Sequence, residues 1–205
     1  MSDSKELSGV VLSRDPAGGR YLRIRIFDRV TGLKAVLFPL SGKRGSQPNP
    51  PDLFDDVECF LRPVKSESAI PFVADFQILR SYREFTINPL TFLTASQIAR
   101  FYLQNGDHLL EPAPRLKLLR SSLGSFSRAK MPGVVLLKLL YCFSRDEGLP
   151  VKESWLCGLP NGLLNQTVAI LKAPVSEIKV ELSELSEVLE RLKLWINAET
   201  ELRVE

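Results

Sequence analysis

Cations and rings share one short stretch of this chain. Tyr21-Leu22-Arg23-Ile24-Arg25-Ile26-Phe27-Asp28 alternates polar and apolar positions, and Arg29, Lys34, Lys43 and Arg44 follow it. Residues 7–47 hold eight cations (Arg14, Arg20, Arg23, Arg25, Arg29, Lys34, Lys43 and Arg44) against Asp15 and Asp28. Guanidinium and ammonium groups neutralise phosphates, and aromatic faces stack on bases, so this mixture points to a nucleic-acid ligand. The opposing reading is a strand surface solvated by charge, with Tyr21, Phe27 and Phe38 packed in a core. The arginines carry the expectation more than the rings do.

A second basic zone spans residues 112–145, where Arg115, Lys117, Arg120, Arg128, Lys130, Lys138 and Arg145 face no acid at all. Cations rimming an apolar helix pair suit an acidic peptide with a hydrophobic end, and Arg115, Arg120, Arg128 and Lys130 are the candidates for that rim. The zone could equally extend a nucleic-acid track. From residue 149 onward acids outnumber bases, with Glu177, Glu181, Glu184, Glu187 and Glu190 in one run.

Catalytic chemistry is not expected. The single histidine, His108, sits in a polar turn beside Asp107 and has no Gly-x-Ser-x-Gly nucleophile turn to serve. Ser41-Gly42-Lys43-Arg44-Gly45 lacks the upstream glycine and downstream hydroxyl of a P-loop. It reads either as a basic loop touching phosphate or as a solvated turn. Cys59, Cys142 and Cys157 have no zinc spacing, and Asp55-Asp56 has no partner histidine, so neither a metal nor a cofactor is expected.

These side chains need elements to position them. Residues 9–13, Tyr21–Asp28, 34–38, 56–64 and 72–82 read as five strands, and Val30-Thr31-Gly32 as a hairpin turn. The alternation puts Arg23 and Arg25 opposite Leu22, Ile24 and Ile26. Five short strands with a long loop favour a small barrel: an OB fold over residues 7–83, with an SH3-like barrel as the alternative. Helices follow. Asn88-Pro89 is a cap and first turn, and Leu93, Ile98, Phe101 and Tyr102 mark a buried face. Further helices are expected at 114–127, at 132–148 (apolar nearly all round), at 163–172 and at 183–198. Strands first and helices after them make an α+β chain with a helical domain at 88–200.

The chain has 205 residues, 44% apolar and 25% charged, with a net charge of +3. That composition fits a globular chain with a real core. The absence of a long uncharged apolar run argues against a membrane helix, and the polar first residues against a leader, so a cytoplasmic protein is expected.

Order and spacing resemble one known family. Ser8-Gly9-Val10-Val11-Leu12-Ser13-Arg14, the Gly42-Lys43-Arg44 loop, Leu53-Phe54-Asp55-Asp56-Val57-Glu58, and Pro132-Gly133-Val134-Val135-Leu136-Leu137-Lys138-Leu139-Leu140 through Gly148-Leu149-Pro150 are similar to segments of RecO, the bacterial recombination mediator. The resemblance runs over roughly residues 7–200. It implies an N-terminal OB-fold barrel and a C-terminal helical bundle. It also implies binding of single- and double-stranded DNA, annealing, and loading of RecA onto DNA coated by single-strand-binding protein (SSB), with RecR as partner. The SSB tail would dock on the helical domain. Some relatives carry a four-cysteine zinc module there; this chain has only Cys142 and Cys157. Arg14, Arg23, Arg25, Arg29, Lys34, Lys43 and Arg44 are the DNA-contact candidates. The competing reading is a protein–protein adaptor whose barrel does not bind DNA.

Overall fold

The computed structural model describes residues 6–40, 49–63 and 69–205. It contains five strands: β1 (Glu6–Pro16), β2 (Tyr21–Asp28), β3 (Gly32–Pro39), β4 (Asp55–Leu61) and β5 (Val73–Ser81). Five α-helices follow: α1 (Pro89–Asn105), α2 (Pro112–Ser125), α3 (Pro132–Asp146), α4 (Asn161–Lys172) and α5 (Leu182–Glu199). The α+β class is therefore present. Two compact units divide the chain, one of residues 1–84 with 105–117, the other of 85–104 with 118–205. The start of α2 thus belongs with the sheet.

The first unit is an antiparallel sheet in the order β3-β2-β1-β4-β5. Leu22, Ile24, Ile26, Val36, Phe38, Val57, Cys59 and Leu61 point to one side and form its core with Leu7, Val11 and Val73. A bulge between Val11 and Ser13 shifts the register of β1, so Ser13 faces Arg25 and Arg14 faces Ile24. The hairpin turn is tied by Asp28, whose carboxylate accepts the amides of Val30 (2.8 Å), Thr31 (2.7 Å) and, from β1, Ser8 (2.9 Å). A side chain at Gly9 would meet the Phe27 carbonyl oxygen at 2.0 Å, so only glycine lets β1 approach β2 there. One isolated parallel bridge joins Leu37 of β3 to Phe72, and the Leu37 amide donates to the Pro71 carbonyl at 2.8 Å.

Entry into β4 is held by charge. Asp52 accepts from Arg14 and from the Leu53 amide (2.9 Å), while Asp55 accepts from the Asp52 amide (2.7 Å) and Arg83 (3.2 Å). Between them Phe54 adopts a left-handed backbone (φ 66°), a conformation a bulky residue keeps only where its surroundings over-determine it.

In the second unit, α1 starts as its sequence predicts: Asn88 caps the amides of Leu90 (3.0 Å) and Thr91 (3.3 Å) ahead of Pro89. Phe143 of α3 meets Phe101 and Tyr102 of α1 at centroid distances of 4.8 and 5.6 Å, and α3 is buried nearly all round. Leu93, expected inside, is 58% exposed, since the buried side of this turn belongs to Thr91, Thr94 and Ala95. A short π-helix, Val151–Leu156, follows α3 where no regular element was expected. Lys138 of α3 donates to the carbonyls of Leu171 (3.1 Å) and Ala173, satisfying the end of α4. Burial pushes its ammonium below the usual lysine value.

Candidate nucleic-acid interface

The strand register sorts the candidate cations. Arg23 and Arg25 lie on the sheet face opposite the core, as the alternation predicts, opposite Asp15 and Ser13 of β1 and Leu37 and Ala35 of β3. Arg14 pairs with Ile24 and Lys34 with Ile26, so these two fall on the side of the core residues. Strand parity therefore separates the candidates into two sets. Lys43 and Arg44 lie outside the described residues.

Partners separate them further. Arg14 is tied to Asp52. Arg25 donates to Ser13 Oγ at 2.8 Å and stands 3.9 Å from Asp15. Arg29 stands 3.7 Å from Glu6. Arg23 and Lys34 are exposed and make no ion pair among the described residues. The same holds for Arg20 and Arg62, which flank β2 and β4.

The backbone links three of these cations to one aromatic pair. Tyr21 opens β2 at 38% exposure, and its ring meets that of Phe72 edge to face at 5.2 Å. Phe72 is bridged to Leu37, the cross-strand neighbour of Arg23, and its carbonyl accepts the Arg62 amide at 2.8 Å. Arg20 precedes Tyr21, and its carbonyl accepts the Leu40 amide at 2.7 Å. Arg20, Arg23 and Arg62 are thus backbone neighbours of Tyr21, Leu37 and Phe72, of which Tyr21 and Phe72 are in ring contact. Such a surface offers phosphate neutralisation beside a ring.

The other two rings singled out in the sequence, Phe27 and Phe38, are buried. Phe38 is buried in the sheet core, edge to face with Phe76 at 5.0 Å. Phe27 lies on the arginine side yet is fully buried, close against Gly106 of the 105–117 segment. Sequence reading missed Arg62 and Phe72 as site residues, and left Arg20 as background charge. Each stands at or beside a strand end, and the stagger that brings those ends together leaves no mark in hydrophobic periodicity.

The second basic zone is divided between the units: Arg115 belongs to the first, and Arg120, Arg128 and Lys130 to the second. Arg115 is 6% exposed, so it offers little charge to solvent. Arg120 is half-buried, whereas Arg128 and Lys130 are exposed. Lys130 borders a groove of about 480 Å³ lined by Met131, Ile178, Val180, Lys179, Glu181 and Glu184.

No grouping of three or more histidine, cysteine or acidic side chains able to hold a metal occurs among the described residues. No described helix is long and apolar enough to cross a membrane. No family model matches the chain, and no curated protein matches it significantly.

Proposed function

We propose that the first unit is an OB-fold barrel that binds the phosphate backbone of DNA, and that the chain acts as a recombination mediator of the RecO kind. The strand order and the parallel Leu37–Phe72 bridge between the two sheet edges support a barrel. The observation that carries the binding reading is the set Arg20, Arg23 and Arg62, partnerless among the described residues and backbone neighbours of Tyr21, Leu37 and Phe72. Phosphate contacts of this kind position a strand without reading its sequence. Annealing and RecA loading onto SSB-coated DNA, with RecR as partner, complete the proposed role. The SSB tail docks on the helical domain, with Arg128 and Lys130 as the exposed cations of the expected rim.

A labelled oligonucleotide titrated at rising salt tests the binding. Affinity falls steeply and without regard to sequence, with a log–log slope of about −0.7 for each phosphate neutralised on a single strand. Affinity independent of ionic strength rejects the proposal and favours a protein–protein adaptor.

A further inference from the structure

We propose that the free edge of β5 pairs with the same strand of a second copy of this chain, antiparallel and centred on Gln77, so that two five-stranded sheets join across a two-fold axis. Nothing in this pairing depends on a nucleic acid.

β5 is an edge strand: it pairs with β4 on one side, and no strand pairs along its other side among the described residues. β3 meets that side at the Leu37–Phe72 bridge, ahead of β5, and ends at Pro39. Ile78 and Leu79 stand on β5 at 43% and 51% exposure. Such an edge carries unpaired backbone groups and is a template for another strand.

Ladder parity says which groups those are. On β1 the Ser8 amide donates to Asp28 and the Ser8 carbonyl accepts the Arg29 amide, so Ser8 is turned toward β2. Its neighbours Leu7 and Gly9, opposite Cys59 and Val57, are therefore turned toward β4. Cys59 and Val57 bond to β1 in return, which leaves Glu58 and Phe60 to face β5 opposite Gln77 and Asp75. The backbones of Phe76 and Ile78 then point out of the sheet. The Phe76 amide agrees: it donates, at 2.8 Å, to the carboxylate of its own neighbour Asp75.

An antiparallel copy of β5 satisfies these groups in one register. With Gln77 facing its own copy on the axis, Phe76 of each chain exchanges both hydrogen bonds with Ile78 of the other. These two side chains share the core side of the sheet, opposite Cys59 and Val57, so an aromatic meets a β-branched residue. On the other face Asp75 of each copy comes opposite Arg80 of the other, with Leu79 taken up by the bulge between Ile78 and Arg80. The Phe76 amide exchanges the Asp75 carboxylate for a carbonyl, which releases that carboxylate for Arg80, a guanidinium now 4.6 Å from the Tyr82 ring centre. A slip of one residue sets apolar side chains against polar ones and parts the charges. Bulges and charges ordinarily blunt an edge, and here they leave one self-complementary register open.

Sedimentation equilibrium of the full chain, freed of nucleic acid, tests this from about 1 to 300 µM, since strand pairing alone makes a small and weak interface. The mass rises from monomer toward dimer with a dissociation constant on the order of 10–100 µM. Arg80→Asp sets like charges opposite each other twice and weakens association about tenfold. Adding Asp75→Arg restores opposite charges and brings the constant back to within about threefold, a recovery that a misfolded variant does not give. A monomer throughout the range overturns the proposal. So does a dimer indifferent to Arg80→Asp, held by some other face such as the exposed Ile87, Leu90 and Leu93, or one that the double substitution fails to recover.

Discussion

Arg25 donates its Nε hydrogen to the Ser13 hydroxyl at 2.8 Å, across the β1–β2 pair, while Ser13 in turn donates to Asp15 at 3.3 Å. One strand residue pair away on the same face, Arg23 has no such tether among the described residues. Two arginines that look equivalent in sequence therefore differ in what a phosphate must displace.

Arg23→Ala is expected to weaken oligonucleotide binding about fivefold and to flatten the salt slope by about 0.7. Arg25→Ala changes both less, because its guanidinium is already engaged with Ser13 and Asp15. Anisotropy titrations between low and physiological salt compare the two directly. An Arg25 effect equal to or larger than that of Arg23 would remove the distinction.

Gly9→Ala should destabilise the fold by about 3 kcal/mol or more, since its new carbon would meet backbone rather than a yielding side chain. Chemical unfolding measures this. A change below about 1 kcal/mol would mean that β1 and β2 separate more freely than their register implies.

The Asp52 carboxyl links stability to acid. Burial alone would raise its pKa, but the Leu53 amide, the hydrogen bond and charge of Arg14, and the charge of Arg83 together hold it below the ordinary 3.8. A carboxyl depressed in the fold stabilises it above about pH 4, and that contribution is lost as pH falls through the folded value. Arg14 and Asp52 are partly exposed, so the effect stays below about 1 kcal/mol. Unfolding of the Asp52→Asn variant should therefore differ from that of the unsubstituted chain at pH 7, and the gap should narrow as pH falls below the ordinary carboxyl value and through the lowered one. A gap that widens in acid contradicts this linkage.

Much of the fold is legible in the residues. Alternation in Tyr21–Asp28 gives both the strand and the outward side of Arg23, and Asn88-Pro89 gives the start of α1. The all-round apolar run after Pro132 gives the buried helix α3. What escapes is what depends on distant partners. Leu93 looks inward by helical spacing, yet Thr91 and Thr94 take the buried positions. Phe27 sits on the arginine face and is lost to a ligand because the segment around Gly106 comes back over the sheet. Arg115 looks like a rim cation until it is seen to be buried. The pairing of Tyr21 with Phe72 needs strand stagger, a property of the assembled sheet that no local pattern encodes.

Thiol reactivity separates the three cysteines. Burial, aided by the Glu58 charge, pushes the Cys59 thiol up to about 12, so it stays protonated at neutral pH. Cys157 is exposed, whereas burial, followed by lesser charge effects, also raises Cys142. A thiol-specific reagent at pH 8 is expected to label Cys157 first and Cys59 only on unfolding. Rapid labelling of Cys59 in the folded chain would contradict the closed packing of the sheet core.

The central claim is that a strand of nucleic acid lies at Tyr21, Leu37 and Phe72. An amide chemical-shift map of the chain titrated with an unlabelled oligothymidine tests it most directly. The account predicts saturable shifts concentrated at Arg20–Arg23, at Leu37–Leu40, and at Arg62 and Phe72, with the amides of the sheet core unmoved. Shifts confined to the surroundings of Arg128 and Lys130, or none at millimolar strand, would contradict it.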